Sequence, residues 1–388
     1  MVESRTPLRW RAWALQALLV LVVAALVYAA AANAAQKLAK QGIVAGFGFL
    51  GRGAGFDIGQ HLIPYAAATA TYLDAFWVGL LNTLLVSALA IGLATLIGFT
   101  LGIARRAPNV LARTLAATYV ETIRNVPLLL QLLVWYVAVR KALPGPADPA
   151  HLGSGAFLSQ RGLFLPRPDL SGWGWLVPGA VGVGILATLV LVRLRRRAVE
   201  AGRRPLPVLV PGIVLVVGSG PLVGIGLALA GHPVAIAWPA RGPYDIEGGL
   251  AILPEFAALL IGLSVYSAAF IAEIVRAGLD SVARGQGEAA AALALSRGQA
   301  LRLVILPQAL RVIVPPLTSQ YLNITKNSSL AVLIGYPDLV HVFMGTVLNQ
   351  TNQAVEVVAL TMAVYLTISL VTAFAMNRYN ARVVGPAR

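Results

Sequence analysis

Cysteine is absent from all 388 residues, which excludes a disulfide framework and any thiolate metal site and leaves the redox compartment unmarked. Charge is scarce too: Asp, Glu, Lys and Arg make up 12% of the chain, about half the share usual in a soluble domain. The four lysines, Lys37, Lys40, Lys141 and Lys326, never follow a glycine, so no Gly-x-x-x-x-Gly-Lys-Ser/Thr phosphate cradle exists. Neither a Gly-x-Ser-x-Gly elbow nor a His-Glu-x-x-His pair occurs, which removes the usual signatures of a hydrolase or metalloprotease. His61, His151, His232 and His341 are scattered without ligand spacing, so no metal is expected.

What the chain has instead is apolar length. Hydrophobic residues form 58% of it, and at about 20 apolar residues per crossing there is room for roughly eight membrane helices and their loops. Long apolar runs predict spans at Ala12–Ala32, Phe76–Ile103, Leu115–Val139, Trp173–Val192, Val208–Ala230, Phe256–Ala272, Val312–Gly335 and Val357–Met376. The fold class expected is therefore all-α and polytopic. The first run exceeds the 7–15 apolar residues of a signal peptide, so it reads as an uncleaved helix.

The net charge of +15 belongs to this membrane setting rather than to nucleic acid, because basic residues beside spans face anionic lipid. With the amino terminus inside, the inner segments hold 20 Lys and Arg and the outer ones eight, which predicts both termini in the cytoplasm. All seven tryptophans fall near predicted span ends, where indoles favour the interface.

Two spans carry charge. Glu121 and Arg124 stand i, i+3 on one predicted helix, and Pro127 frees a backbone carbonyl just beyond them; they form either a structural pair or part of a substrate path. The seventh span joins Pro315-Pro316 to the polar run Asn323-Ile-Thr-Lys326-Asn327-Ser328-Ser329, which predicts a broken helix. Lys326 there serves either to attract a carboxylate or to hold helix-end carbonyls.

Between the sixth and seventh spans lies Ala283-Arg-Gly-Gln-Gly287-Glu288-Ala-Ala-Ala-Ala-Leu-Ala294-Leu-Ser-Arg297. Glu288–Leu295 consists of strong helix formers after Gly287, which predicts a short cytoplasmic helix with Glu288 at its positive end. From periodicity alone, a passive linker and a docking helix are equally open.

Glu288-Ala289-Ala290 followed by Val304-Ile-Leu306-Pro307 resembles the coupling-loop signature of ATP-binding-cassette importer permeases, with Ala294 where that family has Gly and Val304 in place of Ile. Glu121-Thr-Ile-Arg124-Asn125-Val-Pro127-Leu-Leu-Leu-Gln131, Ala272-Glu273-Ile-Val-Arg276, Leu306-Pro307-Gln308 and Lys326-Asn327-Ser328 are similar to the polar amino-acid branch. The length and the inserted helix pair look most like the larger permease subunit of general L-amino-acid importers.

The resemblance implies a type I importer core of five helices, the second, third, sixth, seventh and eighth spans. It implies residues 1–75 as an amino-terminal helix and periplasmic loop, 76–140 as the first part of the core and 141–248 as inserted loops and two helices. Residues 249–380 then complete the core with a coupling loop at 275–311, and 381–388 form a cytoplasmic tail. Glu288 would orient the coupling helix in a groove of a separate ATPase, which holds the ATP and Mg. Ala289, Ala290, Leu293 and Ala294 would pack there, flanked by Gly287 and Arg297. A substrate path would draw on Glu121, Arg124, Asn125, Gln131, Glu273, Asn323, Lys326, Asn327 and Ser328. The implied partners are ATPase subunits, a second and related permease chain, a periplasmic amino-acid-binding protein and lipid of the bacterial inner membrane; no cofactor is implied in this chain. A secondary transporter driven by an ion gradient is the competing class; it needs no exposed coupling helix and would show two matching halves. A membrane anchor would carry a soluble domain, for which no loop is long enough.

Overall fold

The computed structural model describes residues 9–40, 46–146, 148–153, 155–169, 172–201, 207–242 and 246–384. The chain divides into two compact units, Met1–Tyr136 with Ala258–Arg388, and Val137–Ala257.

In the first unit, α1 covers Arg9–Lys40 and contains the whole expected run Ala12–Ala32. After a 3₁₀ turn at Phe47–Gly51, α2 runs over Tyr72–Ala104. Its start is fixed by a capping box: the Thr71 N–H donates to Asp74 Oδ2 at 2.8 Å and the Asp74 N–H to Thr71 Oγ1 at 3.3 Å.

The expected straight span at Leu115–Val139 is instead two helices, α3 (Val110–Asn125) and α4 (Leu128–Ala142), bent by 108°. Pro127 explains the bend, since it disfavours helical backbone at the preceding residue and Val126 is extended at φ −101°, ψ 128°. Among the described residues, six helices are long and apolar enough to cross a membrane, or up to seven with the bent pair counted as one span.

The remaining elements of this unit come after the inserted segment. They are α7 (Pro254–Asp280), α8 (Arg284–Ala292), α9 (Arg297–Ala300), a π turn at Leu301–Ile305, α10 (Leu306–Asn327), a 3₁₀ turn at Ser328–Leu333, a π segment at His341–Val347, α11 (Leu348–Thr351) and α12 (Ala354–Val384). Of the two features expected to break this span, the prolines do not, because α10 continues through both with Ile313, Val314 and Leu317 buried around them, and the polar run supplies the break. It comes at Ser328, where Ser328 Oγ donates to Thr325 O at 2.7 Å and Ser329 Oγ to Lys326 O at 2.6 Å, diverting the carbonyls that a continuing helix would use. A buried cluster of Phe49, Tyr72, Phe76, Leu339, Phe343 and Val357 fastens the 3₁₀ turn, the start of α2, the π segment and the start of α12 together.

The second unit contains α5 (Leu176–Glu200) and α6 (Leu209–Leu229) with eight short strands: β1 (Ala150–His151), β2 (Phe157–Ser159), β3 (Gly162–Leu165), β4 (Arg167–Pro168), β5 (Ile236–Ala237), β6 (Ala240–Arg241), β7 (Ile246–Glu247) and β8 (Leu250–Ile252). An antiparallel sheet has the order β1-β2-β3-β8, and β4 pairs with β5 and β6 with β7. The two helices pack through glycine, for Thr188 Oγ1 donates to Gly184 O at 2.8 Å and to Gly212 O at 3.3 Å, an approach that a side chain at either position would block.

Candidate functional site

The short helix between α7 and α10 is largely exposed, but its bounds differ from the expectation. α8 begins at Arg284 and ends at Ala292, so Gly285 and Gly287 are helical and Glu288 sits in the second turn rather than at the positive end. A tertiary contact outweighs the poor propensity of the glycines: Gln308 Nε2 on α10 donates to Gln286 Oε1 at 3.0 Å. Glu288 and Ala289 face solvent, as does Leu293 at 76% exposure, whereas Ala290 is buried at 2% against the chain's own body. Gly287 is half-buried, and Ala294 and Arg297 are exposed.

Ala294 stands where the resemblance expects glycine, and the geometry gives the reason for that glycine. The Leu295 N–H donates to Ala290 O at 3.1 Å and the Ala294 N–H to Ala291 O at 2.9 Å, a Schellman closure that places Ala294 in the left-handed region at φ 55°. Left-handed backbone costs an L-residue about 1–2 kcal/mol, against about 0.5–1 kcal/mol for the extra freedom of glycine in the unfolded chain. Ala294→Gly is accordingly expected to stabilise the end of α8 by up to about 1 kcal/mol, seen as slower amide exchange at Leu295.

The two strands of chain leading into this loop are held together at its base. Gly278 on α7 lies so close to α10 that a Cβ there would fall within the Ile313 side chain and 3.3 Å from Ala309 O. Beside it is a set of ion pairs. Arg105 at the end of α2 pairs with Glu273, Arg276 Nη2 lies 2.5 Å from Glu273 Oε1 and Arg276 Nη1 2.6 Å from Asp280 Oδ2, and Arg106 Nε lies 2.9 Å from Asp280 Oδ1. The pairs within α7 follow helical spacing visible in the sequence, whereas those from Arg105 and Arg106 were signalled only by adjacent arginines at the end of an apolar run.

The residues considered for a substrate path do not gather at one point. Glu273 belongs to the ion-pair set at the loop base. Asn323 and Lys326 are exposed and Asn327 is half-buried in the last turn of α10, while Ser328 is fully buried. Seventeen residues of helix, about 25 Å, separate Ala309 at the loop base from Lys326. Glu121, Arg124 and Asn125 lie at the exposed end of α3. Glu121 and Arg124 form no ion pair among the described residues; the Arg124 guanidinium instead stands 5.2 Å from the centre of the Phe270 ring. Gln131 is buried and mends the helix break, its Nε2 donating to Ile123 O at 2.8 Å and Val126 O at 2.9 Å, two carbonyls left free by Pro127.

Sequence patterns gave no sign of Asp338. It lies in the segment between the last two crossing helices, wholly buried, accepting from the His341 N–H at 2.8 Å and from the Tyr365 hydroxyl at 3.1 Å. Burial outweighs these donors and pushes its carboxyl up to about 7. An acid whose value is raised on folding favours the native state most below its unfolded value, and that advantage is lost as pH rises through about 7. Asp338→Asn removes this dependence. The stability difference between parent and variant in detergent is expected to shift in favour of the variant from about pH 5 to about pH 8, read by thermal unfolding.

The described residues thus combine apolar helices long enough to cross a membrane with a short exposed helix pinned at its base. The chain belongs to the amino-acid ABC transporter permeases. Residues 204–385 match the family model described as binding-protein-dependent transport system inner membrane component. The chain is 49% identical over 378 residues to the putative amino-acid ABC transporter permease protein YhdX of Escherichia coli (strain K12), covering 96% of this chain and 94% of that one. It is 43% identical to the general L-amino acid transport system permease protein AapQ of Rhizobium johnstonii, over 97% of this chain and 92% of that one. With the glutamate/glutamine/aspartate/asparagine transport system permease protein BztB of Rhodobacter capsulatus the identity is 39%, over 90% of this chain and 88% of that one. The stretch that matches the family model begins before α6 and runs to the end of α12.

Proposed function

We propose that this chain carries amino acids inward across the bacterial inner membrane, driven by a separate ATPase that binds ATP and Mg and grips α8. The observation that carries this reading is the exposure of Glu288, Ala289 and Leu293 on a helix whose base is locked to α7 and α10. A helix held in this way transmits a push from outside the chain instead of absorbing it. The excess of Lys and Arg in the inner segments supports placing the loop, and both termini, in the cytoplasm.

The relatives' names support amino acids as cargo, with a periplasmic binding protein delivering them and a related second permease chain completing the path. Asn323, Lys326, Asn327 and Ser328 at the break of α10 form the best-placed part of that path. The Lys326 ammonium suits an α-carboxylate, and the end of α3 with Glu121 and Asn125 suits an amine.

Reconstitution tests the reading. Vesicles holding the chain with its co-purified ATPase, second permease and binding protein are expected to accumulate labelled amino acids only when ATP is present on the α8 side. Uptake driven by an ion gradient without ATP would refute it.

A further inference from the structure

α2 is gripped at both ends by different parts of the first unit. At its carboxyl end it meets α7 without room for side chains. A Cβ at Gly98 would stand 2.6 Å from Ile271 Cβ, and one at Gly102 would stand 2.6 Å from Val275 Cβ and 2.8 Å from Ala272 O. Ala90 and Ala94, fully buried, precede these glycines on α2 at the same four-residue spacing. The ion pairs of Arg105 with Glu273 and of Arg106 with Asp280 close the same end, and Arg106 Nη1 also donates to Leu279 O at 2.8 Å. α7 ends at Asp280, and α8 begins at Arg284.

At the other end, α2 holds the segment that follows the break of α10. Thr83 Oγ1 accepts from the Leu339 N–H at 3.0 Å, Asn82 Nδ2 donates to Pro337 O at 2.9 Å, and a Cβ at Gly79 would stand 3.0 Å from Leu339 Cα. Both grips sit on one unbroken helix of 33 residues, and from Thr83 to Gly98 it runs about 22 Å.

We propose that α2 is the rod that carries displacement of α8 across the membrane to the Pro337–Leu339 segment, and that Arg105, Arg106, Glu273 and Asp280 are positioning residues that clamp it to α7. The inference rests on α8 being the helix the ATPase moves. It assigns Glu273 to force transmission, and it makes α2 and α7 one body throughout the cycle. A helix that merely lined the path would be free to slide on its neighbour.

The absence of native cysteine allows a direct test in the reconstituted complex. Arg106→Cys with Asp280→Cys opens half of the clamp, and uptake per ATP hydrolysed is expected to fall by about fivefold or more. Bridging the two thiols with a short bifunctional reagent is expected to restore most of that loss, because a covalent tie replaces the ionic one. Arg105→Gln should lower uptake per ATP in the same way, and Arg105→Lys should keep most of it. If the bridge instead stops uptake and cleaving it revives transport, α2 must move against α7 and the inference is overturned; unchanged uptake per ATP in the unbridged variants overturns it as well. Glu288→Lys serves as the separate control. Coupling that survives that substitution defeats the reading of α8, whereas coupling lost there but intact in the clamp variants defeats the rod alone.

Discussion

Glu288→Lys is expected to abolish substrate-stimulated ATP hydrolysis and amino-acid uptake while leaving the chain inserted and folded. The carboxylate is exposed in the second turn of α8 and has no ion-pair partner among the described residues, so the fold loses nothing when the charge is reversed. Its effect must fall on whatever receives the helix. Disrupting a charge seated in a protein cleft costs about 2–5 kcal/mol, which is a loss of coupling of about thirtyfold or more. Stimulated ATPase activity in proteoliposomes measures it, and basal activity and membrane yield serve as controls. Full stimulation by the variant complex would show that α8 is not the helix being gripped.

Gly278→Leu is expected to do comparable damage by another route. The new side chain would occupy the space of Ile313 and press on Ala309 O, both in the helix that leads out of the coupling loop. Overpacking of this kind costs about 1–3 kcal/mol, and here it would separate α7 from α10 at the one place where both must move with α8. Uptake is expected to fall at least as steeply as thermal stability, with faster proteolysis inside the loop. Gly285→Ala supplies the contrast. A Cβ at Gly285 meets nothing within 4 Å, so alanine should strengthen α8 by about 0.5–1 kcal/mol and leave uptake intact.

Much of this architecture was legible because lipid imposes a simple rule on sequence. The run Phe76–Ile103 became Tyr72–Ala104, and the other long helices overlap their apolar runs while several extend well past them at one end, since each must hide its backbone over the full bilayer thickness. Where local chemistry competes with that rule, the reading failed. Pro127 signalled a freed carbonyl but not a bend of 108°, because the angle depends on Gln131 capping the break. In α10 buried neighbours held the helix through the prolines, whereas the polar run named with them did break it, through serine hydroxyls twelve residues later.

The site followed the same division. The position of the coupling helix was legible from its alanines, yet its start moved to Arg284 through a contact with Gln308 that lies 22 residues away in sequence. The left-handed Ala294 was visible only as a departure from glycine, and its meaning needed the hydrogen bonds of the helix end. Two-residue strands such as β4 and β5 carry no period that a sequence scan can detect. The Arg105–Glu273 pair joins residues 168 apart, and Asp338 meets Tyr365 by way of a turn; pairing at such range depends on the fold rather than on any motif.

Site-directed cross-linking from α8 tests the central claim most directly. With no native cysteine in the chain, Ala289→Cys places a single thiol on the exposed face of the helix. In native membranes it is expected to form an adduct with an ATPase subunit, in a yield that changes when ATP is bound, and to resist membrane-impermeant thiol reagents added from outside intact cells. Labelling of that cysteine from the outside, with no ATPase adduct under any nucleotide condition, would contradict the account.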